Sequence, residues 1–343
     1  MDLSSQVAAE PLEVYATSPG VVGGRRSDSF GQKVTDVARW ADAAGLSGLL
    51  IFTDNFSYDP WMLAQYMVER TEAMVPLVAL QPNYQHPVTA ARLVAAIGRL
   101  YGRRVDINLV TGSHAADLRA LGDTVDHDAR YDRLLAFGQI MLALLDGTAP
   151  VTHHGPYYDV SDAVLDPPLP AGLTPRLFAA GQSPPAIHVA RALGATTLVN
   201  PEPPKHYAGG GKRLHRTGIR IGIIARDDHD AAWEVARRRY PRDAAREQRL
   251  HRSRKAAYAS STVHNYTESR RTPTDDTAEA IYWLHPLRVS FEYCAYLVGS
   301  YDEVAEALRT YRESGMCTLI LSPPQEEDDL HHANEAIRRA EAR

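Results

Sequence analysis

The chain has 343 residues, of which 44% are hydrophobic and 23% charged, a composition typical of a globular protein with a large core. Its 37 basic and 42 acidic residues give a formal charge of −5, which argues against a dedicated nucleic-acid binder. With only two cysteines, no apolar run long enough to span a membrane and no basic start to an N-terminal signal, we expect a cytoplasmic protein without a disulfide scaffold or a membrane partner.

Apolar runs that predict β-strands alternate with amphipathic runs that predict helices over the first 145 residues. Pro60 at the first position of a predicted helix and Gly45 just after another are typical of helix boundaries. The predicted strands are 12–17, 48–52, 76–80 and 104–110, and the predicted helices are 33–44, 61–70, 88–100 and 128–145.

Two interruptions follow in chain order. The segment 150–170, around Gly155-Pro156, predicts a β-hairpin insertion. The segment 241–277 is rich in Arg, Ser and Thr, and with its return to about residue 290 it predicts a mobile lid. The Arg-rich stretch 237–254, which overlaps its start, is interpreted as a solvated helix face. The remaining predicted strands are 176–180, 196–199, 219–225 and 317–321, and the remaining helices are 184–193, 229–239, 301–314 and 328–342.

Eight strand–helix units predict an α/β fold, a (β/α)8 TIM barrel with insertions, formed by a single domain over residues 1–343. An open doubly wound sheet is the alternative. That fold predicts the pattern GxGxxG after the first strand, but the segment there reads Ser-Pro-Gly-Val-Val-Gly-Gly at 18–24. The histidine pairs at 153–154 and 331–332 lack the spacing of a zinc site on a helix, so no metal site is predicted.

Four segments in this order resemble the bacterial luciferase-like flavin-dependent monooxygenases, most closely the alkanesulfonate monooxygenase branch. They are Asn-Leu-Val-Thr-Gly-Ser at 108–113, His-Asp-Ala-Arg-Tyr at 127–131, Ala-Gly-Gln-Ser at 180–183 and Leu-Val-Gly at 297–299. The resemblance extends from residue 12 to about residue 337 and implies the same barrel fold.

The resemblance implies a two-component monooxygenase. Reduced FMN comes from a separate NAD(P)H-dependent flavin reductase and reacts with O2 to a C4a-(hydro)peroxyflavin, which hydroxylates a small organic substrate or inserts oxygen in a Baeyer–Villiger reaction. A homo-oligomer, either a dimer or a tetramer, is also implied. The positions that resemble the flavin-binding residues of the family are Asn108, Thr111, His127, Tyr131, Gly181, Gln182 and Ser183.

The chemistry of these segments agrees with a flavin site. Residues 180–183 lead from a strand into a helix, where backbone N–H groups attract phosphate and glycine permits a close approach. His127 and Tyr131 are four residues apart and therefore share one helix face. Asn108 ends a strand at the side of the barrel where active sites lie. In the alternative interpretation, Asn108 is a turn residue and His127 a helix cap.

The substrate side departs from the alkanesulfonate branch. Ser57, Gly222 and Asn200 stand where that branch has Cys, His and Trp, and Pro324 and Glu326 stand where it has Tyr and His, whereas Arg220 is retained. The candidate catalytic residues are Arg220, Ser57 and His285. The candidate substrate residues are Tyr58, Trp61, Gln81, Arg288 and Phe291.

The aromatic residues of this set suit an aromatic or polyketide-type secondary metabolite, or alternatively pack the insertion against the barrel. An alkanesulfonate monooxygenase, an F420-dependent dehydrogenase and a non-catalytic flavin-binding protein remain alternative functions.

Overall fold

A computed structural model describes residues 11–20, 29–112, 114–257, 280–290 and 292–342. The strands are β1 (Glu13–Thr17), β2 (Gly48–Ile51), β3 (Val75–Leu80), β4 (Asp106–Leu109), β5 (Val151–His154), β6 (Asp159–Ala163), β7 (Leu177–Ala180), β8 (Thr196–Val199), β9 (Thr217–Arg226), β10 (Tyr282–Trp283), β11 (Tyr296–Ser300) and β12 (Met316–Leu321). The helices are α1 (Phe30–Ala43), α2 (Pro60–Val68), α3 (Pro87–Tyr101), α4 (Ala115–Ala120), α5 (His127–Asp146), α6 (Pro184–Ala192), α7 (His229–Arg239), α8 (Ala244–Ala257), α9 (His285–Val289), α10 (Tyr301–Glu313) and α11 (Asp328–Glu341). No described helix is both long and apolar enough to cross a bilayer.

The chain divides into two compact units. The described residues of Ser18–Asp42 and Ser47–Leu198 form the flavin-segment unit, which carries three of the four family-like segments. The described residues of Met1–Thr17, Ala43–Leu46 and Val199–Arg343 form the C-terminal unit. The assignment of residues 1–343 to a single domain therefore stays a prediction.

The flavin-segment unit contains a parallel sheet in the order β2-β3-β4-β7-β8. Successive strands along the chain are neighbours in this sheet and are joined by helices, which is the pattern of repeated βα units. Asn108 in β4 lies opposite Ala79 of β3 and Phe178 of β7. The register therefore brings the ends of β3, β4 and β7 to the same edge of the sheet.

Local sequence explains where the helices of this unit begin. The Asp59 carboxylate accepts hydrogen bonds from the N–H groups of Trp61 and Met62, and Pro60 occupies the first helical turn of α2. Ser183 caps α6 in the same way, and Pro184 follows it. Each of these helices follows a loop at the carboxyl end of a parallel strand, and substrates and cofactors bind at such ends in α/β proteins.

The two predicted interruptions differ in how much of them is described. Residues 151–163 form an antiparallel pair, β5 with β6. Helix α8 occupies the first part of the 241–277 segment, and residues 258–279 lie outside the described part of the chain. The lid role of this segment stays a prediction.

The C-terminal unit contains a sheet in the order β10-β11-β9-β12-β1. Strand β9 is ten residues long and pairs in parallel with β12 through its first half and with β11 through its second half. The eight predicted strands did not include β11, because its Leu-Val-Gly motif was interpreted as a family segment and not as a strand. Its first four residues are an apolar, buried run, and Ser300, the fifth, is half-buried.

Both cysteines of the chain are buried in this unit. Burial raises the pKa of the Cys294 thiol to about 11 and also raises the pKa of Cys317. Because the thiolate is the nucleophile, we expect neither thiol to react rapidly with a disulfide reagent at about pH 8 in the native protein, and both to react after unfolding. The absorbance of the thiol that is released from the reagent measures the rate. A cysteine that reacts as fast in the native protein as in the unfolded protein contradicts the burial of its side chain.

Candidate active site

The turn between β7 and α6 brings Gly181 against Tyr131 of α5. Gly181 has a φ of +140°, a conformation that L side chains rarely adopt. A Cβ at this position would lie 2.7 Å from the Cβ of Ala186 and 2.8 Å from the hydroxyl of Tyr131. Only glycine therefore fits here, and the Tyr131 hydroxyl lies beside the backbone of the turn. The assignment of both residues to a flavin site stays a prediction.

Polar side chains surround this turn. The Ser183 Oγ accepts a hydrogen bond of 3.4 Å from the Ala186 N–H. Because Pro184 and Pro185 have no N–H groups, the helix terminus offers fewer backbone donors than the sequence argument assumed. We therefore expect an anion at this turn to be bound mainly by side-chain hydroxyls and the imidazole described next.

His127 and Tyr131 pack together on the first turns of α5. Their ring centroids are 5.3 Å apart and the rings are inclined by 65°. The His127 Nδ1 lies 2.7 Å from the Asp128 carboxylate, which orients an imidazole that is otherwise exposed. His127 starts α5 but is not its cap, since Asp126 is the N-cap residue. His127, Tyr131, Gly181 and Ser183 together are called the anion cradle below.

A second polar group lies where β3 and β4 end. The Gln81 side chain is buried directly after β3, and its Nε2 has no hydrogen-bond partner among the described residues. Asn108 in β4 is also buried, and no described atom donates to its Oδ1. Buried amide atoms are nearly always paired, so an unpartnered donor and acceptor indicate that a polar group from outside the chain completes them.

Gly112 leaves room for the Gln81 amide. It has a φ of +82°, and a Cβ there would lie 2.7 Å from the Gln81 Nε2. Thr111, the residue before it, is half-buried. The Thr-Gly pair of the predicted flavin segment therefore borders a residue that the sequence assigned to the substrate.

The loop after β2 holds three of the predicted residues. The Asp54 carboxylate accepts the Ser57 N–H at 2.6 Å, so a tight turn fixes Ser57. Tyr58 stacks on Phe30 with 4.7 Å between centroids, and the Trp61 indole donates to the Gln85 side chain at 3.0 Å. Trp61 is thus buried by packing, whereas Tyr58 keeps an exposed surface.

Arg220, predicted to be catalytic, lies in β9 of the C-terminal unit. Its guanidinium carbon is 5.4 Å from the centroid of the Tyr293 ring. The Asn200 amide donates to the Tyr293 carbonyl at 3.1 Å, so Asn200 also belongs to this neighbourhood. The half-buried guanidinium is therefore held against an aromatic face.

The other predicted residues of this unit lie on and after α9. His285 is buried and its ring centroid is 5.3 Å from that of Trp283. Arg288 is half-buried, and Phe291 lies outside the described residues. Ser57 belongs to the other compact unit, so a catalytic set of Arg220, Ser57 and His285 stays a prediction.

A tyrosine cluster in the C-terminal unit was not predicted from the sequence. The hydroxyls of Tyr240 and Tyr296 are 2.8 Å apart, and Tyr240 donates to the Glu292 carboxylate at 3.1 Å. The Gln325 amide donates to the same Tyr240 hydroxyl at 3.2 Å. Tyr240, Tyr296 and Gln325 line a small open cleft beside the end of β12.

Burial keeps both phenols of this cluster neutral. It raises the pKa of Tyr240 and of Tyr296, and the Glu292 carboxylate raises both further. Gly222, where the alkanesulfonate branch has a histidine, has its Cα next to the Tyr296 ring, since a Cβ would lie 2.3 Å from the ring carbon Cε1. Glycine at position 222, in place of the histidine of that branch, therefore makes room for the Tyr296 ring.

An ion pair stabilises the segment that leads into α5. Arg133 donates to the Asp123 carboxylate at 2.7 Å and to the side-chain Oδ1 of Asn83 at 2.5 Å, and the Asn83 side-chain amide donates to Asp123 at 2.6 Å. Burial alone raises the pKa of Asp123, but the hydrogen bonds from Arg133, the Val125 N–H and Asn83 outweigh it and lower the pKa.

Replacing Arg133 with methionine is expected to destabilise the protein at neutral pH by about 3 kcal/mol, because it leaves a buried carboxylate without its partner. The folded-state pKa of Asp123 is lowered, so the stabilisation is present above the ordinary carboxyl pKa of about 4 and is lost as the pH falls through the folded value. Thermal unfolding of both proteins at several pH values measures this.

The matched control is Arg338→Met, which removes an exposed ion pair with Glu335 and is expected to cost less than about 1 kcal/mol. If Arg133→Met destabilises the protein no more than Arg338→Met does, or if its effect grows toward acidic pH, the stabilising role of the Asp123 pair is wrong.

Comparisons with known proteins agree with this geometry. The family model described as luciferase-like monooxygenase matches residues 16–318. A relative from Niallia circulans, the 4-(gamma-L-glutamylamino)butanoyl-(BtrI acyl-carrier protein) monooxygenase BtrO, is 30% identical over 336 residues, covering 95% of this chain and 96% of the relative.

Two solved structures share the fold. EDTA monooxygenase (EmoA) from Chelativorans sp. BNC1 superposes with a TM-score of 0.70 at 15% identity, covering 97% of this chain and 96% of the other. The oxygenating constituent of 3,6-diketocamphane monooxygenase from Pseudomonas putida, a type II Baeyer–Villiger monooxygenase in complex with FMN, gives a TM-score of 0.66 at 16% identity, covering 97% and 98%.

These matches confirm the predicted α/β class, a (β/α)8 TIM barrel with parallel strands and alternating helices. They do not distinguish the alkanesulfonate branch from others. The predicted enzyme class, a flavin-dependent monooxygenase, is confirmed at the level of the family. The chain belongs to the luciferase-like monooxygenases.

Proposed function

We propose that this chain is the oxygenase component of a two-component monooxygenase that uses reduced FMN and O2. The observation that carries the proposal is the contact of Gly181 with the Tyr131 hydroxyl, because it builds an anion cradle at a strand-to-helix turn of the flavin-segment unit. The separate NAD(P)H-dependent reductase and a homo-oligomeric state are part of the proposal.

The residues present fit FMN. A phosphate needs donors, and His127, Tyr131 and Ser183 provide an imidazole and two hydroxyls around Gly181. The pyrimidine edge of a flavin carries both N–H donors and carbonyl acceptors, which complement the unpartnered Asn108 Oδ1 and Gln81 Nε2. We assign the phosphate to the anion cradle and the ring edge to these two amides.

When bound, reduced FMN supplies the electrons that activate O2, so that one oxygen atom enters the substrate and the other leaves as water. The chain's own residues bind and orient the flavin and exclude water from it. The buried Gln81 and Asn108 fix the orientation of the ring edge. Arg220, Ser57 and His285 are the candidates that hold or donate a proton near the substrate.

The substrate proposed is a small organic molecule, and the related BtrO supports a more specific form of it. That relative acts on an acyl group carried by an acyl-carrier protein. We extend this to the present chain and propose a substrate presented as a carrier-bound thioester. Free aromatic and polyketide-type metabolites are the alternative substrates.

Rapid mixing tests the oxygenase proposal. The protein is loaded with reduced FMN without oxygen and then mixed with oxygenated buffer, and the visible absorbance of oxidised FMN is followed. We expect this absorbance to return more slowly than in a protein-free control, because the site excludes water from the flavin. Equal rates with and without protein contradict the proposal.

A further inference from the structure

A basic surface on α7 and α8 is not used by the proposed flavin site. Residues 237–252 contain seven arginines and only two acidic residues, although the whole chain is acidic. Six of these arginines are exposed, and five of the six form what we call the arginine face. They are Arg238, Arg242, Arg246, Arg249 and Arg252.

The charges of the arginine face are not neutralised locally. Within the described part of the chain, none of its five guanidinium groups lies within ion-pair distance of a carboxylate, even though Asp243 and Glu247 are nearby in sequence. Arg246, Arg249 and Arg252 recur every three residues and so lie on one side of α8. A solvated helix usually alternates its charges, so a one-sided positive face indicates an acidic partner.

Neighbouring contacts place the start of this face beside the end of β12. Arg239 donates to the Asp329 carboxylate at 2.7 Å, and Asp329 lies at the start of α11, which follows β12. Tyr240 accepts a hydrogen bond from Gln325 in the same loop. The carboxyl ends of strands are where active sites lie in this fold, so a partner on the arginine face sits beside that end of β12.

We propose that the arginine face docks an acidic acyl-carrier protein that presents the substrate as a thioester. The inference rests on the proposed function. Exposed arginines bind carboxylates through charge and through bidentate hydrogen bonds, so this face fits a carrier protein whose docking surface is acidic. The net charge of −5 argues against a nucleic-acid partner for the same face.

The test measures binding of a fluorescently labelled BtrI acyl-carrier protein in its phosphopantetheinylated form, by anisotropy, at about 20 mM and about 200 mM salt. The wild-type chain is compared with the triple variant Arg242→Glu/Arg246→Glu/Arg249→Glu. The control is Lys33→Glu/Arg92→Glu/Arg119→Glu, which reverses three exposed charges elsewhere. We expect the first variant to raise Kd by at least about tenfold and the control to change it less than about twofold.

Three results overturn the docking proposal: no binding to the wild type at low salt, equal weakening by both variants, or an arginine-face variant that binds like the wild type. Preference for a labelled RNA over the carrier protein at both salt concentrations also overturns it. Binding of reduced FMN is measured in parallel with the same proteins. If the wild type binds reduced FMN but not the carrier protein, only the docking inference fails. If the wild type does not bind reduced FMN, the proposed function is refuted.

Discussion

Replacing Gly181 with valine is expected to weaken the binding of reduced FMN by about 100-fold or more, a loss of about 2.8 kcal/mol. The new Cβ would lie within 3 Å of both Ala186 and the Tyr131 hydroxyl, at a φ of +140° that a β-branched residue does not adopt. The side chain would also fill the space that the phosphate needs. Anaerobic titration with reduced FMN, followed by flavin absorbance, measures the effect.

Two further variants distinguish a specific loss of the anion cradle from a general loss of folding. Gly194→Ala places a side chain at a φ of +63° but meets no atom within 4 Å, so it carries the backbone strain without the clash. We expect it to leave FMN affinity within about twofold of the wild type, since the position does not border the cradle. Tyr131→Phe keeps the ring and removes the hydroxyl, and we expect about a tenfold loss. Full FMN affinity in both Gly181→Val and Tyr131→Phe contradicts the cradle.

The substitution Gly222→Ala is expected to lower stability by about 3 kcal/mol, which corresponds to a decrease of about 4 °C in the thermal midpoint. The added Cβ would lie between 2.3 and 2.5 Å from three carbons of the Tyr296 ring. That ring is enclosed by Tyr240 and the buried core around Trp283, so it has no room to withdraw.

A double-mutant cycle shows whether the Tyr296 ring is the cause. In a Tyr296→Leu background, the same Gly222→Ala change is expected to cost about 1 kcal/mol or less, because the ring that clashes is gone. Thermal unfolding of the four proteins gives the coupling energy. An equal cost of Gly222→Ala in both backgrounds means that the Tyr296 ring does not occupy the space beside Gly222.

Local patterns predicted the elements of the fold because they are encoded over short stretches of sequence. Pro60 and the Ser-Pro-Pro segment at 183–185 mark helix starts, and the structure begins α2 and α6 there. Helix α4 was missed because its six residues are too few for a periodic pattern. Strand β11 was missed because the residues were interpreted only as a family motif.

The candidate site was predictable where a motif carried it. Tyr131 and Gly181 are about 50 residues apart, and only the resemblance joined them before their contact was known. The cluster of Tyr240, Tyr296 and Glu292 has no such motif, because it depends on tertiary packing between residues that are far apart in the chain. Gly222 was visible as a departure from the branch, but its reason lies in a ring that is distant in sequence.

The assignment of the anion cradle to the FMN phosphate is the central claim, and comparing two flavins tests it most directly. Reduced FMN and reduced riboflavin differ only in the phosphate, and both are titrated anaerobically against the wild-type protein. We predict that FMN binds at least about tenfold more tightly, because charge-assisted hydrogen bonds from His127, Tyr131 and Ser183 require the phosphate. Equal affinities for the two flavins, or no binding of either, would contradict the account.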